Sequence, residues 1–502
     1  MLYFTGLIPA FGEWYSYDQS FRLQTEAFLR GELALQPVPH GHRSDWVWGN
    51  GIQQVWGLGV PLLKFPFEMV AKLFGSFGFP DRFIFLFFYM FVMAIFLKSL
   101  DAALSLNSQS HGRFARRMYS IPILFFAFLN PAFITMIRSS FQPYEEVIAY
   151  GYLWGLMLFA LLQLFIINRK GYLYLLICLL AGFSPIMRPT LLAYGGITFL
   201  VAFYFTRERT RLRWIGLPVF ITGIIFLLVT NYLRFGSSLE FGHSLPLSGM
   251  FFSDYVVKFD NPLKNLQFAR TAIELLSALF FIDLHKLHTL NEGLLWQSDV
   301  IRVREFPFKP YDSLLFALLL VSWLVVAVVW IRNRKGVFYS DVEGEKLIKW
   351  GGLWSFCSFI MLFYFYSRFP VLTSRYLVDF GPAIVLGIVS LYLYLTYFIR
   401  KNLPQYSFLV NIALGTAFSG WILFSILSAK IIPIYQDISE AERTNIASLE
   451  VARKKITQMR RTEGPSLPTG YNCGDRETMF GIPYNNFGWK TATDCGVFWT
   501  TT

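Results

Sequence analysis

An all-α polytopic membrane protein is what this sequence predicts, on three observations. Its 502 residues are 55% hydrophobic and 19% aromatic but only 15% charged, with a mean hydropathy of +0.46, well outside the balance of a soluble domain. Apolar runs of spanning length recur along the chain, a bilayer core needing roughly 20 residues of helix. Between those runs Lys and Arg come in small groups, as the positive-inside rule produces. The net charge of +12 and pI near 9.4 therefore read as topology, and no nucleic-acid partner is expected.

Taken in order, Met1 to Gly12 (MLYFTGLIPAFG) carries no basic leader of a cleavable signal and is too short to cross a bilayer. It reads as a surface segment or as the end of a span that starts upstream. Trp14 to Glu68 follows, the longest early run that is neither span nor cytoplasmic loop. Within it Asp18, then QSFRLQTEAFLR, then Gly31 predicts a short helix with an Asp N-cap and a Gly stop. Spans are expected at about 82–104, 119–138, 146–167, 171–187, 190–206, 214–234, 312–331, 349–367, 380–399 and 407–428, ten in all or eleven with an N-terminal remnant.

Loop charge sets their direction. Arg113, Arg116 and Arg117; Arg169 and Lys170; Arg207, Arg209, Arg211 and Arg213; Arg332, Arg334 and Lys335; and Arg400 with Lys401 occupy alternate connections, which places those in the cytoplasm. The opposite face then collects the Trp14 stretch, Ser139 to Glu145, Arg188 to Thr190, Gly236 to Tyr311, Arg368 to Phe380 and the tail. Composition shifts near Ala429, so a membrane domain over 1–428 and a small extracytoplasmic domain over 429–502 are expected. Cys473 and Cys495 lie in that tail, a candidate disulfide if the tail is outside the cytoplasm, whereas Cys178 and Cys357 sit within apolar spans as small core residues.

Function is sought on the outer face, where the unusual polar residues gather. Asp18 is either a helix cap or a functional carboxylate. Glu145 and Glu146, after Pro143 at the mouth of a span, suit a helix N-terminus, but an ionisable residue near membrane depth needs a partner or a watery cavity. Arg138, Arg188, Arg234, Arg368 and Arg375 all stand at outward span ends. Interface snorkelling accounts for single arginines there, while a converging set offers the bidentate forks that suit phosphate. His40, His42 and Asp45, or His285 with His288, have metal-ligand spacing without a clear third ligand, so they read as polar loop residues. Trp46, Trp48 and Trp56 read as an interfacial aromatic belt. No Walker loop, dinucleotide fingerprint or G-x-S-x-G is present in the sequence.

Several segments, YDQSFRLQTEAFLRGELAL, GVPLLKFPFE, YEEVIAYGYLWG, MRPT, NYLRFGSSLEFG and SRYLVDFGPA, together resemble the GT-C superfamily of integral-membrane glycosyltransferases, the class of the protein O-mannosyltransferases and the lipid A aminoarabinose transferases. The resemblance implies inverting transfer of a sugar from a polyprenyl-phosphate donor to a lipid, glycan or protein acceptor at the outer face, in a bacterial inner membrane facing the periplasm. Asp18 would be the general base, Glu146 the assisting carboxylate, and Arg138, Arg188, Arg234 and Arg375 the phosphate-binding set. The family's usual second acidic residue is replaced by Gln19, which favours a mechanism without a metal, and no cofactor is expected. A transporter or flippase for a lipid-linked sugar and a non-catalytic envelope assembly protein remain as alternatives, the first predicting polar or broken spans at the bilayer midplane and repeat symmetry.

Overall fold

The computed structural model describes residues 20–35, 46–76, 78–107, 113–138, 143–241, 275–276, 279–280, 311, 313–334, 343–368, 374–402, 405 and 407–428. A layer packed against the ends of the long helices comes first, outer only in lying outside the helical bundle. Helix α1 (Ser20–Leu29) is stopped by Gly31, whose φ of +78° is the left-handed conformation glycine adopts without a Cβ penalty. A hairpin follows, β1 (Trp46–Gly49) antiparallel to β2 (Gly51–Gln54), and then α2 (Gly59–Leu73), which packs on α1.

The remaining helices are α3 (Asp81–Asn107), α4 (Arg113–Phe128), α5 (Pro131–Arg138), α6 (Pro143–Asn168), α7 (Gly171–Met187), α8 (Leu192–Phe205), α9 (Thr210–Phe235), α10 (Ser313–Arg334), α11 (Glu343–Arg368), α12 (Gly381–Asn402) and α13 (Ser407–Ser428). Short 3-10 turns, Pro189–Leu191 and Ser374–Phe380, lead into α8 and α12. Six helices among the described residues are long and apolar enough to cross a membrane, and α7 and α8 are shorter apolar helices. The chain is a membrane-embedded, mainly helical protein.

One expected span is two helices. Over 119–138 the chain breaks at Asn130–Pro131, because proline cannot extend α4 and Asn130 Oδ1 instead accepts the Ala132 N–H at 3.0 Å, capping α5. The carbonyls freed at the end of α4 are taken by tyrosines: Tyr152 OH donates to Ala127 O at 2.6 Å and Tyr89 OH to Phe128 O at 3.0 Å.

Helix α6 is the central post. Neighbours cover 94% of its most apolar window, against 11% for α9, which presents Trp214, Ile215, Ile225, Val229 and Leu233 outward as a lipid-facing surface. Helices α7 and α9 cross closely where Gly182 meets Gly223; a Cβ on either would run into the other helix's backbone, the small-residue contact by which membrane helices approach without a hydrophobic driving force. Interhelical hydrogen bonds supplement the packing. Trp354 Nε1 donates to Thr198 Oγ1 at 2.8 Å, Ser355 Oγ to Ala383 O at 2.7 Å and Ser322 Oγ to Gly387 O at 2.6 Å.

Candidate functional site

Two sets of buried charge lie where the outer layer meets the helix ends. In the first, α1 and α2 supply Arg22, Lys64 and Glu68, and α3 and α6 supply Asp81 and Glu146 from their first turns. Arg22 Nε reaches Glu68 Oε1 at 3.2 Å, and its Nη2 reaches Asp81 Oδ2 at 3.1 Å and Phe79 O at 2.8 Å. Lys64 Nζ lies between Asp81 Oδ1 at 2.7 Å and Glu146 Oε1 at 2.6 Å. None of the five exposes more than 2% of its surface. Burial is the largest influence on Lys64 and pulls it down, but Asp81 and Glu146 outweigh it and hold the ammonium above the ordinary lysine value. Glu68 is pushed above the ordinary carboxylate value by burial, against the opposing pull of Arg22. Cation and anion alternate through this network, which ties the outer layer to α3 and α6.

The second set faces open space. An open cavity, about 770 Å³ with the solvent space it opens into included, is lined by Arg188, Arg234, Trp56, Asn231, Tyr366 and Tyr376 among others. Arg188 follows the end of α7, where the backbone turns extended before the 3-10 turn. Its Nη1 donates to Asp379 Oδ1 at 2.8 Å and its Nη2 to Tyr366 OH at 3.1 Å, and its guanidinium lies 4.9 Å from the centre of the Tyr376 ring. Asp379 Oδ2 also accepts from Tyr366 OH and, at 3.2 Å, from Thr190 Oγ1, while Tyr194 OH donates to the Asp379 carbonyl at 2.5 Å.

Arg234 enters from the last turn of α9, where a helix C-terminus favours a cation, and Gly236 with φ +74° ends the helix. The hairpin is built around it. Asn50 N–H donates to Arg234 O and Asn50 Nδ2 to Leu233 O, both at 2.8 Å, satisfying carbonyls the helix end leaves open. In return Arg234 Nε donates to Gln53 Oε1 at 3.3 Å and Nη2 to Gln54 O. The fit demands glycine: a Cβ at Gly49 would strike the Arg234 carbonyl, and one at Gly57 the carbonyls of Ile186 and Met187. All these partners are neutral. Arg234, only 2% exposed, has no carboxylate partner among the described residues.

Of the residues expected from sequence, Arg188 and Arg234 meet on this cavity. Glu146 lies in the ion-paired network, next in sequence to Val147, which lines the cavity. Arg138 is the last residue of α5 and Arg375 lies in the second 3-10 turn, with side chains outside the described set. Asp18, Cys473, Cys495, His40, His42, Asp45, His285 and His288, and the domain at 429–502, also lie outside the described residues. Sequence reasoning passed over Asp379 and Tyr366. The usable signal for Asp379 was an ionisable residue at the start of a long apolar run, which asks for a partner. Asp81, at the start of the apolar α3, carries the same signal, but Lys64 has none: 17 positions separate the two and only the tertiary fold makes them a pair.

Among the described residues, no group of three or more His, Cys, Asp or Glu side chains is placed to hold a metal ion. No protein-family model, curated protein or solved structure matches this chain.

Proposed function

We propose that this chain is an integral-membrane glycosyltransferase of GT-C-like architecture, with ten or eleven spans, that moves a sugar from a polyprenyl-phosphate carrier to an acceptor hydroxyl at the outer face of a bacterial inner membrane. One observation carries the reading: Arg234 is a buried guanidinium with no carboxylate partner among the described residues, sharing a cavity with Arg188. Burying a cation without an anion is costly, and a ligand phosphate is the group that would offset it.

In the proposed reaction Asp18, two positions before α1, takes the proton of the acceptor hydroxyl. The freed oxygen bonds to the anomeric carbon from the face opposite the phosphate. The carbon–oxygen bond to phosphate breaks with its electron pair leaving on the carrier, so the sugar inverts. The carrier phosphate goes from a monoanionic diester to a dianionic monoester, and Arg234 and Arg188 stabilise the charge as it develops. Glu146 takes the supporting part, holding Lys64 and through it the outer layer over the cavity. Arg138 and Arg375 remain further members of the phosphate-binding set, and the 429–502 segment with Cys473 and Cys495 is the acceptor-facing cap.

The test is reconstitution of purified protein with a panel of radiolabelled polyprenyl-phosphate sugars, following release of free polyprenyl phosphate. Release by wild type and its loss in Asp18→Asn is the expected result, since asparagine still caps a helix but is no base. Undiminished release by Asp18→Asn would remove Asp18 from catalysis, and no release by folded wild type across the panel would favour a transport or assembly role.

A further inference from the structure

Among the described residues the buried charges at the cavity are three, and one of them is not on its wall. Arg188 and Arg234 are the charged side chains that line it among the described residues. Asp379 stands behind Arg188, 2% exposed, with donors from Arg188, Thr190 and Tyr366 converging on its two oxygens, the arrangement an unprotonated carboxylate accepts in full. Its charge cancels that of Arg188, so the three groups together leave one positive charge facing the cavity. A neighbouring carboxylate, Glu240, binds the Phe241 N–H and is only partly buried, so water screens it more than it screens Asp379.

We infer that Asp379 is a specificity-determining residue: by cancelling one of the cavity's two cationic charges it matches the site to a phosphodiester monoanion and limits its hold on the phosphomonoester dianion. This deepens the phosphate-site reading and rests on it. In the proposed reaction the diester is the loaded carrier and the monoester is the spent one. The same carboxylate that keeps Arg188 oriented therefore eases product departure. A removed unit charge roughly 6–8 Å from the ligand, at an effective dielectric near 20, shifts affinity by about tenfold or more for every charge the ligand carries. A dianion feels that shift twice and a monoanion once.

The experiment compares equilibrium binding of farnesyl phosphate and its methyl diester to the full-length protein in detergent at pH 8, where a phosphomonoester, with a second pKa near 6, is dianionic. In Asp379→Asn the preference for monoester over diester rises about tenfold or more over wild type. Ser322→Ala, which removes an interhelical hydrogen bond away from the cavity wall, leaves the preference within about twofold. Arg234→Gln, which removes a positive charge, lowers it by a factor similar to the rise in Asp379→Asn, and this variant carries the test if Asp379→Asn does not fold. Loss of affinity for both lipids in Asp379→Asn with an unchanged ratio means a merely structural carboxylate and overturns the inference. A ratio unmoved in Arg234→Gln overturns it as well. Binding of neither lipid by wild type refutes the phosphate-site reading itself, and the inference falls with it.

Discussion

The two buried charge clusters are built from the same residue types at the same face of the protein, yet they do opposite things with their charge. Around Lys64 each cation touches carboxylates on two elements, and all five groups are sealed. Around the cavity one arginine is paired with Asp379 and the other is held by neutral amide and carbonyl oxygens, with open space in front of both. A closed network spends its electrostatics on holding α1 and α2 to α3 and α6. An open one leaves positive charge over for a ligand. Buried charge alone therefore does not mark a site; what marks it is imbalance beside a cavity.

Substitutions that separate folding from function are the way to break this comparison. The largest effect is expected at Lys64→Met, which leaves Asp81 and Glu146 facing each other without their shared cation. Loss of one partner of a buried pair costs about 3–5 kcal/mol, so thermal unfolding in detergent should show a much less stable protein or none accumulating. A variant with wild-type melting behaviour would mean the cluster is not the fastening it resembles.

Arg234→Gln comes next and should divide the two readouts the other way. Turnover in the sugar-release assay should fall by about 10²–10³, the usual consequence of removing one group that stabilises developing negative charge, while melting falls far less than in Lys64→Met because the bonds from Asn50 to the end of α9 remain. Arg188→Lys keeps the charge but loses the fork that spans Asp379 and Tyr366 and the contact with Tyr376, so an intermediate fall of about tenfold is expected, mainly in apparent substrate affinity. The smallest effect belongs to neither cluster: Ser322→Ala removes only the hydrogen bond to the Gly387 carbonyl, and should shift stability by about 1 kcal/mol with no change in turnover.

Most of the helical architecture was legible because span length and arginine grouping are local properties of the chain. Arg188 and Arg234, which line one cavity, stood out for a related reason, since arginines at span ends are few and each asks for an explanation. The Asn130–Pro131 break was also written in the sequence, as a turn-forming dipeptide inside an apolar run, but hydropathy read straight across it. What could not be read was pairing. That Lys64 would meet Glu146, or Arg188 meet Asp379 across 191 positions, depends on how α2, α6, α7 and the turn before α12 pack, and no local pattern encodes it.

The most direct measurement is a cryo-EM structure of the protein with polyprenyl phosphate bound. The account predicts phosphate density in the cavity, within hydrogen-bonding reach of Arg188 and Arg234, with Arg22 and Lys64 still locked in their ion pairs. Phosphate seated elsewhere, or drawing Arg22 or Lys64 out of the closed network, would contradict it.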